Sequence, residues 1–293
     1  MADQPLFDAY YYAHSCGRPY GRDAEWLRFF GTVADRIKGD ILAPSSGKAT
    51  EGKAPRVLDA GCAMGLLVEA LVERGIDAWG IDISEYAIAQ AAPAVRDRVH
   101  VGSLTTPLDG RYDLIVSIEV LEHMPPADAR IALTNICAHT DDVLFSSSPT
   151  DFGETTHVNV QPPEAWAEAF AREGLLHDLE YDASFITPWA VRYRRRSEAI
   201  PRLVREYERT AARLTIERNE LRQQVQQFDR HVQREAEDAP RLRTELARVN
   251  ETLLAAQQRN AALEDTVRHM EASVFWRLRN VWRSIRGLGG GRE

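Results

Sequence analysis

Cysteine, lysine and long apolar runs are all scarce in this sequence, and each scarcity removes a class of explanation. The three cysteines, Cys16, Cys62 and Cys137, stand far apart, with no C-x-x-C pair and no histidine-rich spacing beside them. Neither a disulfide framework nor a structural zinc site is indicated, and reduced thiols in a cytoplasm are expected. No apolar run approaches the roughly 20 residues needed to cross a bilayer. The opening MADQPLFDAYYYAH carries an acid where a signal peptide needs basic residues. Basic excess is missing too: 44 acidic residues face 36 basic ones, for a net charge of −8, which argues against a general affinity for nucleic acid. Among the basic residues only Lys38, Lys48 and Lys53 are lysine, a bias that fits a GC-rich bacterial genome.

What is present divides by period. Between residues 56 and 194 short apolar runs alternate with helical patterns, the mark of an α/β unit with a mostly parallel sheet and crossover helices on both faces. Strands are predicted near 56–60, 78–83, 99–102, 112–118 and 143–147, with weaker ones near 176–181 and 189–194. Helices are predicted near 66–74, 85–92, 127–139 and 163–173. Upstream, Trp26, Leu27, Phe30, Val33 and Ile37 recur at helical spacing, and residues 45–55 read as a flexible Gly/Pro-containing linker. The N-terminal part is therefore divided into 1–44, a lid and leading helix, then the linker, then a domain over 56–197.

From Ile200 the period becomes seven. With Ile200 at d, both the a series (Val204, Ala211, Arg218, Val225, Val232, Ala239, Leu246, Leu253, Asn260, Val267, Val274, Val281) and the d series stay apolar, apart from Arg218, Asn260, Glu235 and Arg277. That pattern predicts a coiled coil over 198–274 and a homo-oligomer formed through 200–274, with Asn260 as a register-fixing polar a residue. Pro240 is expected to kink or break the rod. Residues 275–293 form a basic tail with Trp276, Trp282, Arg277, Arg279, Arg283 and Arg286; its amphipathic pattern over 275–288 suits an anionic membrane surface, giving a peripheral cytoplasmic-face location.

The stretch VLDAGCAMG, residues 57–65, ends a strand with an acid and two glycines and opens a helix, which places backbone N–H groups at the carboxyl edge of the sheet. A dinucleotide fingerprint needs a glycine at the middle position, where Ala63 stands. A bound pyrophosphate is disfavoured. The next strand ends in Asp82, placed to accept hydrogen bonds from ribose hydroxyls, and the third runs into Gly102, Ser103 and Leu104, suited to pack beside an adenine. A ribose without a demanding phosphate points to an adenosyl group.

VLDAGCAMG, GIDIS and YDLIVSIEVLEH together, in this order and spacing, resemble the class I S-adenosylmethionine-dependent methyltransferases, particularly those acting on small molecules and sugars. The resemblance spans about residues 20–195. It implies a Rossmann-like seven-stranded sheet whose last strand is antiparallel and S-adenosylmethionine as cofactor. The implied contacts are Asp59, Ala60, Gly61, Cys62 and Gly65 around the methionine part, Asp82 and Ile83 at the ribose, Gly102, Ser103 and Leu104 at the adenine, and Ser117, Ile118 and Glu119 beneath the sulfonium. Ser103 replaces the acid usual near adenine.

Methyl transfer from a sulfonium is an in-line displacement, so a base is needed only for hydroxyl-type acceptors. Two histidines fall at the expected mouth: His157 after the fifth strand, preferred as the base for its polar loop with Thr155, Thr156 and Asn159, and His123 after the fourth, read as a positioning residue. Glu154 is a candidate to orient a histidine. Tyr11, Tyr12, Cys16, Tyr20 and Arg22 are read as a lid that excludes water. The tail is similar to Trp/Arg tails that follow coiled coils in bacterial surface-polysaccharide enzymes. The expected function is therefore methylation of a sugar hydroxyl on a lipid-linked or nucleotide-linked glycan, with glycosyltransferases as possible partners. The alternatives are a membrane-associated small molecule such as a quinone precursor, and a coiled-coil scaffold bearing a vestigial methyltransferase fold.

Overall fold

A computed structural model of the chain describes residues 6–16, 18–42, 54–197, 199–272, 278–279 and 281–282. Two compact units are present, Met1–Thr210 and Ala211–Glu293. The first contains a seven-stranded sheet: β1 (Arg56–Ala60), β2 (Asp77–Asp82), β3 (Val99–Val101), β4 (Leu114–Ile118), β5 (Asp142–Ser146), β6 (Leu175–His177) and β7 (Val191–Arg195). Their order across the sheet is β3-β2-β1-β4-β5-β7-β6. Every pair is parallel except those of β7, which runs antiparallel to both β5 and β6. The expected fold is therefore the observed one, with strand ends displaced by no more than four residues.

The central strands are buried on both faces, as parallel strands under crossover helices must be. Alternate side chains point to opposite faces. Val57, Val116 and Leu144 pack on one side with α2 (Ala24–Arg36) and α3 (Leu66–Glu73), joining Phe30, Val33, Leu67 and Leu71. Leu58, Ile115, Val143 and Phe145 face the other side, against α5 (Pro126–His139) and α6 (Pro163–Arg172). α3 is buried nearly all round, held between the sheet and α2, whereas α2 starts on Asp23, whose carboxylate caps the N–H groups of Glu25 and Trp26. Four short elements carry too little periodicity to read from sequence: α1 (Ala9–His14), a π-helical turn over Ile37–Ile41, and 3₁₀ turns over Pro93–Arg98 and Leu121–His123. A further short helix, α4 (Glu85–Ala89), follows β2 on the N-cap Ser84.

The second unit is built on α7 (Ile200–Ala272), which begins in the first unit and runs helical through Pro240. The expectation that Pro240 breaks the rod is thus corrected. A proline removes only one N–H from the ladder, and the seven-residue pattern continues in phase on both sides of it. The linker over 45–55 lies outside the described residues apart from 54–55, as does the tail apart from Leu278, Arg279, Val281 and Trp282. Among the described residues no helix is long and apolar enough to cross a membrane.

Candidate active site

The loop after β1 turns on left-handed residues: Gly61 at φ 89°, Ala63 at φ 47° and Gly65 at φ 71°. At Gly61 the requirement is also steric, since an added Cβ would come within 2.3 Å of the Val120 side chain. Ala63 holds its unfavourable conformation through a hydrogen bond from its N–H to Oδ2 of Asp82, 2.8 Å long. Gly61 and Cys62 donate to the Ile81 carbonyl and Gly65 to that of Cys62. Three donors, those of Gly61, Cys62 and Ala63, hold the loop on the edge of β2, so its lip is rich in acceptors, which suits a cationic sulfonium and amino group and not a phosphate.

Asp59 and Asp82 form that lip. Burial, with the charge of Asp82 added, pushes the Asp59 carboxyl up to about 8. Burial also raises Asp82, against the pull of hydrogen bonds from Ser84, Ala63 and Ile83. Ala60 and Cys62 are buried in the core beneath the loop, and Cys62 Sγ fills the space a Cβ at Gly80 would need. Ile83, beside Asp82, is 60% exposed, an apolar surface suited to one face of a purine. Ser103 is drawn into its own turn, where its hydroxyl meets Thr105 Oγ1 at 2.8 Å and accepts from the Thr105 N–H; Gly102 donates to the Asp82 carbonyl, and Leu104 is buried.

At the ends of β4 and β5, three buried polar side chains have an atom with no hydrogen-bond partner: Ser117 Oγ, Ser147 Oγ and Glu122 Oε2. Buried polar groups are seldom left so. Glu122, which the sequence did not single out, is fully buried, and burial together with the neighbouring Glu119 holds its carboxyl well above the usual range. Glu119, at φ 53°, accepts from Trp189 Nε1 at 2.8 Å and from the Ser146 hydroxyl. Ile118 packs beside the core that lies under α2 and α3. Left-handed loop, paired acids and unsatisfied polar floor together fit S-adenosylmethionine.

The two histidines meet. His123 stands on the 3₁₀ turn after β4 and His157 on the loop after β5, with ring centroids 4.5 Å apart. Asn159 joins the two segments: its side chain donates to the Leu121 carbonyl and its N–H to that of Glu122. Thr156 Oγ1 donates to the Glu154 carboxylate at 3.1 Å and lies 2.9 Å from His123 Nδ1. When the hydroxyl gives its proton to the carboxylate it accepts from Nδ1–H, and in that tautomer Nε2 carries the lone pair. Burial, with the charge of His157 added, lowers His123 to about 4. His157 instead directs Nδ1 to the Asp151 carbonyl at 2.8 Å.

The N-terminal segment lies over both halves of this site. The Ser84 hydroxyl donates to the Phe7 carbonyl at 2.6 Å. Tyr12 is buried against Met64 and Ala87, and Phe7 and Tyr11 stand edge-on to the His123 ring. Tyr11 Oη lies 3.4 Å from His123 Nε2. Tyr20 donates its N–H to the Tyr12 carbonyl, and Cys16, its thiol pushed up to about 11 by burial, packs beside them. Arg22 departs from the expected group: it forms a two-pronged ion pair with Glu69 on α3.

Residues 33–176 match the model of a methyltransferase-domain family. A ubiquinone biosynthesis O-methyltransferase of Methylococcus capsulatus is 33% identical over 101 residues, 31% of this chain and 43% of that protein. A magnesium-protoporphyrin O-methyltransferase of Rhodobacter capsulatus is 34% identical over 101 residues, 32% of this chain and 45% of that one. The chain thus spans under half the length of either relative. Among solved structures, CalS10, an amino pentose methyltransferase of Micromonospora echinaspora, is 18% identical over 67% of this chain and 100% of its own, at a TM-score of 0.47. Loop, sheet order and family match agree on a methyltransferase domain over residues 33–176.

Proposed function

We propose that the protein transfers the methyl group of S-adenosylmethionine to a hydroxyl oxygen of a small-molecule acceptor, with His123 as the base. The observation that carries this reading is the ordered run Glu154–Thr156–His123, which fixes the tautomer so that the Nε2 lone pair is the one beside Tyr11. The bound cofactor supplies the electrophilic methyl group. Asp82 and Ile83 would hold its ribose and adenine, Gly102, Ser103 and Leu104 would border the adenine, and Asp59, with the loop from Ala60 to Gly65, would hold the methionine part. Ser117, Ile118 and Glu119 would form the floor. His123 takes the hydroxyl proton at Nε2 as the oxygen attacks, and the proton on Nδ1 remains shared with Thr156. His157 supports the His123 ring by packing, a role reversed from that expected of the two histidines.

A weakly basic imidazole matches an acidic hydroxyl best. A phenolic hydroxyl, ionising near ~10, is a better match than a sugar alcohol, and the named relatives include enzymes of ubiquinone biosynthesis. This favours an aromatic acceptor such as a quinone precursor. The glycan reading keeps the support of the chain layout, a long heptad helix followed by a basic tryptophan-bearing tail. Transfer of labelled methyl to a catechol-type quinone precursor, assayed beside nucleotide sugars and lipid-linked sugars, separates them. Transfer to the phenol that fails in His123→Gln supports the first reading, and transfer to a sugar alone supports the second. A folded protein that neither binds the cofactor nor labels any acceptor would leave the scaffold reading.

A further inference from the structure

α7 presents an apolar seam that water covers in a single chain. From Ala211 to Glu271 every residue is exposed except Ala239, which is half-buried. The seam includes Leu214, Leu221, Val225 and Leu253, each between 54% and 60% exposed. A continuous exposed stripe of this kind marks an interaction surface.

We propose that the occupant of this seam is a second copy of α7, parallel and in register, in a two-stranded coiled coil. Three independent features of the sequence on this helix argue for that arrangement.

The first is charge. In a parallel, in-register pair each g residue faces the e residue five positions later on the other helix. The pairs with charge at both positions are Glu217 with Arg222, Asp238 with Arg243, and Arg259 with Glu264. All are opposite in sign, including the last, where the order of acid and base is reversed. Two-fold symmetry forms each pair twice.

The second is Asn260, a lone amide at an a position. In register and parallel, it meets Asn260 of the second copy, where two amides can hydrogen-bond. Any shift sets it against Leu253, Val267 or another apolar a residue and leaves a buried amide unsatisfied.

The third is shape: β-branched Val204, Val225, Val232 and Val267 occupy a positions while Leu214, Leu221, Leu242 and Leu263 occupy d, the distribution that favours two strands. Arg218, the other polar a residue, is placed beside Glu217 of the second copy, which offsets its charge.

The test uses the full chain and two charge-reversed variants. One reverses the g positions (E217R, D238R, R259E) and the other the e positions (R222E, R243E, E264R). Each variant alone faces itself with like charges only, whereas a mixture of the two restores every attraction. Sedimentation should give a dimer for the wild type, dissociation raised at least about tenfold for either variant alone, and a heterodimer on mixing. L253C in a C16S background should cross-link to a dimer on mild oxidation, because only the in-register parallel pair sets the two thiols side by side. A monomeric or trimeric wild type, variants that self-associate as well as wild type, no recovery on mixing, or no cross-link through L253C would each overturn the proposal. Recovery on mixing also shows that both variants fold.

Discussion

The backbone N–H of Ala63 donates to Oδ2 of Asp82 at 2.8 Å, so the position that a dinucleotide loop gives to glycine is held left-handed here by the acid at the end of the neighbouring strand. Asp82 thus shapes the loop as well as facing the ligand. Asp82→Ala should weaken S-adenosylmethionine about 10- to 100-fold in calorimetry. It should also lower unfolding stability by about 2–5 kcal/mol, since the N–H groups of Ala63 and Ser84 lose their acceptor. Ala63→Gly removes the conformational cost but adds unfolded-state entropy, and should stay within about 1 kcal/mol of wild type with the cofactor still bound. A large loss of binding in Ala63→Gly would show that the loop's shape depends on more than this bond.

Asp59 should give stability a distinct pH slope. Its carboxyl is raised to about 8 in the folded chain, first by burial and then by Asp82, against ~3.9 when unfolded. The folded state therefore holds the extra proton between these values, and the contribution present below pH ~4 is lost as pH rises to about 8. Urea denaturation at pH 5, 7 and 9 should show Asp59→Asn gaining on wild type at each step. Parallel curves for the two proteins would contradict this.

His123 predicts the shape of the activity profile. A folded value of about 4 leaves the base neutral through the physiological range, so kcat/KM should show no His123 limb near ~6.5 and should fall only as pH approaches 4. The linked stability is complete above pH ~6.5 and is lost as pH drops from there towards 4, because the unfolded histidine binds the proton first. His123→Gln should cut kcat about 10²- to 10⁴-fold, and His157→Gln less than about tenfold. A loss of kcat in His157→Gln larger than that in His123→Gln would return the base to His157.

Thr156 acts through His123, so its substitution should alter the profile as well as the rate. Thr156→Val removes the acceptor for Nδ1–H, and should lower kcat about 10- to 100-fold while leaving cofactor binding intact. Thr156→Ser, which keeps the hydroxyl, should recover most of it. Failure of serine to rescue would make the role one of packing.

Tyr11 occupies the place the acceptor hydroxyl must take. Tyr11→Phe removes its oxygen from His123 Nε2, 3.4 Å away, and keeps the ring against the imidazole. Steady-state kinetics should show kcat undiminished and acceptor KM equal or lower by up to about tenfold. A fall in kcat would mean instead that the phenol positions the acceptor.

The strands, the main helices and the loop glycines were legible because each depends on neighbours in sequence: an apolar run closed by an acid, or a heptad that persists through Pro240. The contacts of the histidines were not, because they depend on meetings across the chain. His123 receives Thr156 from 33 residues away and Tyr11 from 112, and no periodic pattern encodes either. The polar loop that carries His157 also supplies Thr156 and, through it, Glu154 to His123, contacts that polarity alone does not assign. The acceptors that Gly61, Cys62 and Ala63 find on β2 likewise lie outside their own stretch of sequence.

Phe7 and Tyr11 touch the two sides of the site at once, Phe7 through the Ser84 hydroxyl beside Asp82 and Tyr11 through His123. On the proposed reading, cofactor exchange and acceptor arrival would share a single gate, tying two otherwise separate traffic routes into one cycle. Each opening would then serve both reactants, and a slow gate would set the same ceiling on turnover whatever acceptor is offered.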